Sequence, residues 1–196
     1  MSEGYGAFDD PYVYPGTSVL RNRLDIRDAE GLEVFEVEAA HARAEEGLPE
    51  GNFDPAHYCV THHQLFHDVY EWAGTYRTVR IAKGKTMFCY PENIAAQMEA
   101  LFAGIGGGAR FRGLTPEEFV TRLAGFLAEL NAIHPFREGN GRTQLAFAGL
   151  IGATFDQPLQ LRRVSQRTFL PAMVWARRVC RGAGLLWLRV KGWSPN

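Results

Sequence analysis

Apolar residues recur every three or four positions along most of this chain, the spacing that gathers them on one face of an α-helix. The clearest case is Phe119, Leu123, Phe126, Leu127 and Leu130. They follow Thr115-Pro116-Glu117-Glu118, a capping box with proline at the first helical position, and predict a helix to about Ile133. Asp54-Pro55 reads as an N-cap and first-turn proline for a helix carrying Tyr58, Leu65, Phe66, Val69 and Tyr70 and stopping near Gly74. Thr17 to about Glu46 also reads as helical, with Gly31 a possible break. Pro91 opens a helix carrying Ile94, Met98, Leu101 and Phe102, and a glycine-rich loop runs from Gly104 to Gly113. Further helices are predicted from about Asn140 to Phe155 and from about Ser165 to Val179.

The pattern changes over residues 78–90. Thr78, Val79, Ile81, Met87, Phe88 and Tyr90 favour strands, and Lys83-Gly84-Lys85 reads as a turn. The prediction is a short β-hairpin in a mainly α protein. Residues 1–16 read as an irregular arm anchored by Tyr5, Phe8, Tyr12 and Tyr14, and residues 17–196 as one domain. No internal repeat is visible.

Composition narrows the functional classes. The chain has 196 residues, 46% of them apolar, enough for a buried core. A formal net charge of −1 argues against a general nucleic-acid or membrane binder. Arg162, Arg163, Arg167, Arg177, Arg178 and Arg181 cluster locally, as a solvated helix face or a docking surface for an acidic partner. Cys59, Cys89 and Cys180 form neither a disulfide framework nor a metal-ligand set, which suits a reducing cytosol. The acidic, proline-broken N-terminus is no signal peptide, and no apolar run nears the roughly 18 residues of a membrane helix.

Chemistry concentrates in His134-Pro135-Phe136-Arg137-Glu138-Gly139-Asn140-Gly141-Arg142. Pro135 disfavours α conformation in the residue before it, so the preceding core helix ends at His134. A new helix starts near Asn140. Gly139 and Gly141 let the backbone approach a ligand closely, and N–H groups at a helix N-terminus cradle anions. A neutral His134 imidazole can take a proton from an attacking hydroxyl. Glu138 offers the hard oxygens that Mg²⁺ prefers, and Mg²⁺ usually bridges substrate phosphates. Asn140 can donate to a phosphate oxygen, and Arg142 offers a bidentate guanidinium. A histidine before proline, or a Gly-Asn-Gly turn, is ordinarily structural when met alone. Here base, metal ligand, anion cradle and arginine fall within nine residues, the parts that phosphoryl-type transfer requires.

This stretch closely resembles the signature of Fic-domain proteins, His-Pro-Phe-x-Asp/Glu-Gly-Asn-Gly-Arg-x-x-Arg. DPYVYPGTSVLRNRLDI and EWAGTYRTVRIAKGKTMF extend the resemblance to the stand-alone toxins of bacterial Fic toxin–antitoxin pairs. The resemblance implies the Fic fold, a helical core with a β-hairpin flap over the active site. It implies transfer of AMP from ATP to a hydroxyl side chain of a target protein. His134 would be the base and Glu138 the Mg²⁺ ligand. Gly139, Asn140 and Gly141 would form the anion hole, Arg142 would meet the β- and γ-phosphates, and Lys83, Gly84 and Arg137 would complete the nucleotide contacts. Phe136 would pack into the core. Ile81, Ala82, Lys85, Thr86, Met87 and Phe88 of the flap would align the target segment by strand-like pairing. The implied targets are DNA gyrase and topoisomerase IV, modified on a tyrosine in the bacterial cytoplasm. The chain ends at Asn196 with no delivery domain after the catalytic one, which favours a toxin acting inside the cell.

Two features qualify the expectation. The signature's final Arg falls on Leu145, three residues beyond Arg142 on the same helix face. That Arg binds the γ-phosphate and pairs with an inhibitory glutamate in the family. Losing such a contact costs roughly 1.5–3 kcal/mol, so weakened or retuned activity is expected. Arg110, Arg112 or a partner could meet the phosphate instead. Second, the inhibitory motif Ser/Thr-x-x-x-Glu-Gly/Asn is missing. Glu3-Gly4, Glu30-Gly31, Glu46-Gly47, Glu50-Gly51, Glu92-Asn93 and Glu138-Gly139 all lack Ser or Thr four residues before the Glu. By resemblance, a separate antitoxin helix would supply the glutamate, with Leu145 weakening its grip. Two alternatives stand beside adenylylation. One is transfer of another phosphate-containing group, although Doc-like phosphorylating relatives carry Lys where this chain has Gly141. The other is a degenerate Fic domain that only binds.

Overall fold

The computed structural model describes residues 10–84 and 86–159. Tyr5, Phe8, Lys85, the helix expected from Ser165 and the arginine cluster lie outside them. The described residues form α1 (Ala29–Glu45), α2 (Pro55–Phe66), β1 (Ala82–Lys83), β2 (Thr86–Met87), α3 (Ile94–Ala103), α4 (Pro116–Ile133) and α5 (Asn140–Thr154). Short 3₁₀ turns occupy Pro91–Asn93 and Ala109–Phe111.

Helix starts follow local chemistry. Asp54 accepts the His57 N–H at 2.7 Å with Pro55 at the first helical position. Thr115 and Glu118 cap each other reciprocally at the head of α4, a device worth about 1 kcal/mol. Asp28 caps α1 through the Glu30 and Gly31 N–H groups. Gly31 therefore sits in the first turn and breaks nothing.

Two predicted helices are shorter than expected. The span from Thr17 becomes helical only at Ala29, because Asn22 offers the backbone other partners. Its amide donates to the Leu20 and Ile26 carbonyls, and its oxygen accepts the Ile26 N–H at 2.9 Å. Such side-chain bonding competes with helix propagation. Val13 and Leu20 instead form an antiparallel bridge. Likewise α2 stops at Phe66, not near Gly74; the Val69 and Tyr70 N–H groups both return to the Phe66 carbonyl, closing turns.

Helix α1 packs on α2, α2 on α5, α3 on α4, and α4 on α5. Between α2, α3, α4 and α5 lies a core that includes Tyr58, Phe102, Leu123, Phe126, Phe147 and Ile151. A second cluster, with Leu32, Leu65, Phe66, Val69 and Tyr70, joins α1 to α2 and takes in Tyr14 of the arm. Tyr12 of the arm packs edge-on to Trp72. The expected hairpin is present but brief, with Ala82 opposite Met87 and Lys83 opposite Thr86. Among the described residues, no helix is long and apolar enough to cross a membrane.

Candidate active site

The loop between α4 and α5 lies where both cores meet. Phe136 anchors it, fully buried and stacked on Tyr58 and on His62, whose ring centroid is 3.8 Å away. Burying such a ring contributes roughly 1.5–3 kcal/mol. Asn140 closes the loop: its Oδ1 accepts the Phe136 N–H at 3.0 Å and its Nδ2 donates to the Phe136 carbonyl at 2.8 Å. The Asn140 amide, expected to reach a phosphate, is thus engaged within the loop, leaving its backbone N–H for the cradle.

His134 ends α4 in a left-handed conformation, φ 52° and ψ 64°, uncommon for a residue with a Cβ. Arg77 holds it there. This arginine is 2% exposed. Its Nε donates to the His134 carbonyl at 2.8 Å, and its Nη groups donate to the carbonyls of Ile133, Val79 and Cys89. One guanidinium therefore ties the end of α4 to both feet of the hairpin. The His134 ring is fully buried and stacks on Phe88 of the hairpin at 3.9 Å. Its Nδ1–H donates to the Asn131 carbonyl at 3.2 Å, which places the neutral ring's lone pair on Nε2. Burial, with the charges of Arg77 and Lys83 adding to it, pushes His134 down to about 3. The imidazole is neutral at physiological pH.

Helix α5 has Gly139, φ 78°, as its N-cap, and no side chain caps the N–H groups of its first turn. That bare terminus is where an anion is favoured. Glu138 lies at its mouth, Oε1 accepting the Gly139 N–H at 2.9 Å. His62 supports the turn from below: Nδ1 accepts the Gly74 N–H at 2.8 Å, so Nε2–H donates to the Glu138 carbonyl at 3.0 Å. Burial pushes His62 down to about 3, keeping it in this neutral form.

The arginines are engaged by the protein. Arg137 forms a buried ion pair with Asp10 of the arm at 2.6 Å. Arg142 bonds Glu36 of α1 and lies over the Phe66 ring at 4.8 Å, while its Nε and Nη1 are buried without a protein acceptor. On the hairpin, Ile81 and Phe88 are buried, Met87 is exposed, and Gly84 forms the tip with φ 58°. Ala82 and Lys83 are half-buried on β1.

Sequence reasoning missed Asp10, Glu36, His62 and Arg77. Only His62 left a signal, being a polar residue on the apolar face shared by Tyr58, Leu65 and Phe66. Asp10 and Glu36 meet Arg137 and Arg142 at separations of 127 and 106 residues, and Arg77 meets Ile133 and His134 at 56 and 57.

Known proteins are similar to this chain in sequence and fold. A model described as the Fic/DOC family matches residues 52–151. The chain is 46% identical over 171 residues to "Probable protein adenylyltransferase y4lH" of Sinorhizobium fredii, covering 87% of this chain and 89% of the relative. It is 38% identical to "Probable protein adenylyltransferase Fic" of Escherichia coli, covering 75% and 74%. "Protein adenylyltransferase VbhT" of Bartonella schoenbuchensis is 40% identical over 87% of this chain, which spans 36% of that relative. The crystal structure of BepC from Bartonella tribocorum, with bound AMPPNP, shares the fold at a TM-score of 0.82 and 24% identity, covering 94% of this chain and 97% of that one.

Proposed function

We propose that this chain, which belongs to the Fic/DOC family, transfers AMP from ATP to a hydroxyl side chain of another protein. It is an enzyme of the protein adenylyltransferase class, as its relatives' names indicate. The observation carrying the reading is a neutral, buried His134 at the end of α4, opening the loop that leads into an α5 whose first turn no side chain caps.

The geometry supports a division of labour. The N–H groups at the start of α5 hold the phosphates of ATP. The target hydroxyl attacks the α-phosphorus in line as its proton passes to His134 Nε2. The new O–P bond forms while the bond to the β-phosphate oxygen breaks, and pyrophosphate leaves. Glu138 fits a Mg²⁺ ion: it supplies hard oxygens at the mouth of an anion cradle, the single-carboxylate-plus-phosphate setting this ion favours. When bound, the ion would neutralise charge on the phosphates. Arg142 adds positive charge from the first turn of α5, and its unpartnered N–H groups suit an anion. Lys83 and Gly84 would close over the nucleotide from the flap. Arg137, held by Asp10, fixes the loop. By resemblance, the flap residues Ile81, Ala82, Lys85, Thr86, Met87 and Phe88 would present the acceptor segment to the base.

By resemblance, the acceptor is a tyrosine of a bacterial type II topoisomerase in the cytoplasm. A small antitoxin with a glutamate-bearing helix restrains the enzyme. The test is incubation of bacterial lysate with ATP labelled on the α- or the γ-phosphate. A protein band carrying only the α-label is expected, and His134→Ala should abolish it. A γ-label on protein, or labelling that survives His134→Ala, would overturn the assignment.

A further inference from the structure

Glu36 lies on α1, outside the stretch that matches the family model, yet it reaches the first turn of α5. Its Oε1 pairs with Arg142 Nη2, and its other oxygen accepts the Tyr70 hydroxyl at 2.7 Å. Glu36 and Tyr70 are both buried. Among the described residues, Arg142 has one other carboxylate close by: Glu138 Oε1 lies 3.9 Å from the same Nη2. Two carboxylates thus compete for one guanidinium, and the buried pair with its Tyr70 anchor wins.

The consequence concerns the cation. A Glu138 carboxylate paired to Arg142 would be neutralised by it and poorly available to Mg²⁺. An arginine drawn to Glu36 leaves Glu138 to the ion and keeps its remaining N–H groups beside the anion cradle. We propose that Glu36 is a positioning residue of the nucleotide site, holding Arg142 off Glu138 so that one stays with the phosphates and the other with the cation. The proposal rests on the reading of Arg142 and Glu138 given above.

The experiment is calorimetry of the full chain with ATP across a Mg²⁺ titration, with unfolding temperature measured alongside. Glu36→Gln keeps the shape and removes the charge. It should weaken ATP binding about tenfold and raise the Mg²⁺ concentration for half-maximal binding by a similar factor. Tyr70→Phe, which removes only the hydroxyl, should shift both the same way by a few-fold. The double variant Glu36→Gln/Arg142→Ala should bind no worse than Arg142→Ala, because Glu36 acts through Arg142. A purely structural Glu36 would lower the unfolding temperature and leave the Mg²⁺ midpoint in place, which overturns the proposal. Tighter ATP binding by Glu36→Gln would make Glu36 a competitor of the nucleotide and overturn it too. Wild-type binding by Arg142→Ala would instead sink the reading of Arg142 on which the proposal stands.

Discussion

Arg77 Nε donates to the His134 carbonyl at 2.8 Å, so the residue proposed as the base is held by a buried cation at the foot of the flap. The same guanidinium serves Ile133, Val79 and Cys89. Arg77→Ala leaves these carbonyls without their donor, at about 1–3 kcal/mol for each that stays buried. A loss of at least about 3 kcal/mol in urea unfolding is expected. Arg77→Lys should recover less than half of it, because an ammonium cannot span the fork. Equal stability of the Lys variant and wild type would show that charge alone suffices.

Stability should fall as pH drops below neutrality. His62 and His134, pushed down to about 3 by burial, stay neutral in the fold while the unfolded chain protonates them below about 6.5. Their contribution is complete above that value and is lost as pH falls toward 3. Glu36 opposes them: burial raises its carboxyl, so its contribution is present at low pH and is lost as pH rises. The histidines outnumber the one opposing carboxylate, so stability falls as pH drops from roughly 6.5 to 5, by about 1.4 kcal/mol per pH unit for each uncompensated proton. Urea titrations at pH 7, 6 and 5 measure the slope, and His134→Gln should flatten it.

Gly139 admits no side chain. At φ 78°, a Cβ would sit 2.5 Å from Phe66 Cε2 and 3.1 Å from His62 Nε2. Phe66 is also the platform under Arg142. Left-handed strain of about 1–2 kcal/mol adds to the overpacking. Gly139→Ala should cost about 2–4 kcal/mol in urea unfolding and should also weaken ATP binding by calorimetry. Gly84→Ala provides the contrast. Gly84 is left-handed too, φ 58°, but has open space around it, so only the backbone cost of about 1 kcal/mol should appear.

The parts of the fold written in short-range chemistry were legible in the sequence. The Thr115–Glu118 box and the Asp54-Pro55 cap lie within one helical turn, and the start of α5 follows from the loop that closes on Asn140. The late start of α1 was not legible, because Asn22 reads like any polar residue until its three backbone bonds form. The supports of the site were hidden for a different reason. Glu36 and Arg142 are 106 residues apart, and Asp10 and Arg137 are 127 apart. Each looks like a solvated charge until helix packing brings its partner. The sequence names the groups proposed to do the chemistry; those that hold them in place emerge from the topology.

Leu145 offers the sharpest probe of how far the nucleotide site extends. It lies one turn beyond Arg142 on α5, half-buried against the core. An arginine there can extend outward along its aliphatic stem, so Leu145→Arg should cost no more than about 1 kcal/mol of stability. Its guanidinium would lie on the face of α5 that carries Arg142. One added charge-assisted contact of about 1.5–3 kcal/mol predicts ATP binding about ten- to a hundredfold tighter. ADP lacks the γ-phosphate and should gain little. Dissociation constants for both nucleotides, in wild type and variant, decide the matter. Equal tightening of ATP and ADP would mean that the new charge attracts anions without gripping the γ-phosphate. An unchanged ATP affinity would place the end of the triphosphate elsewhere than along this face of α5.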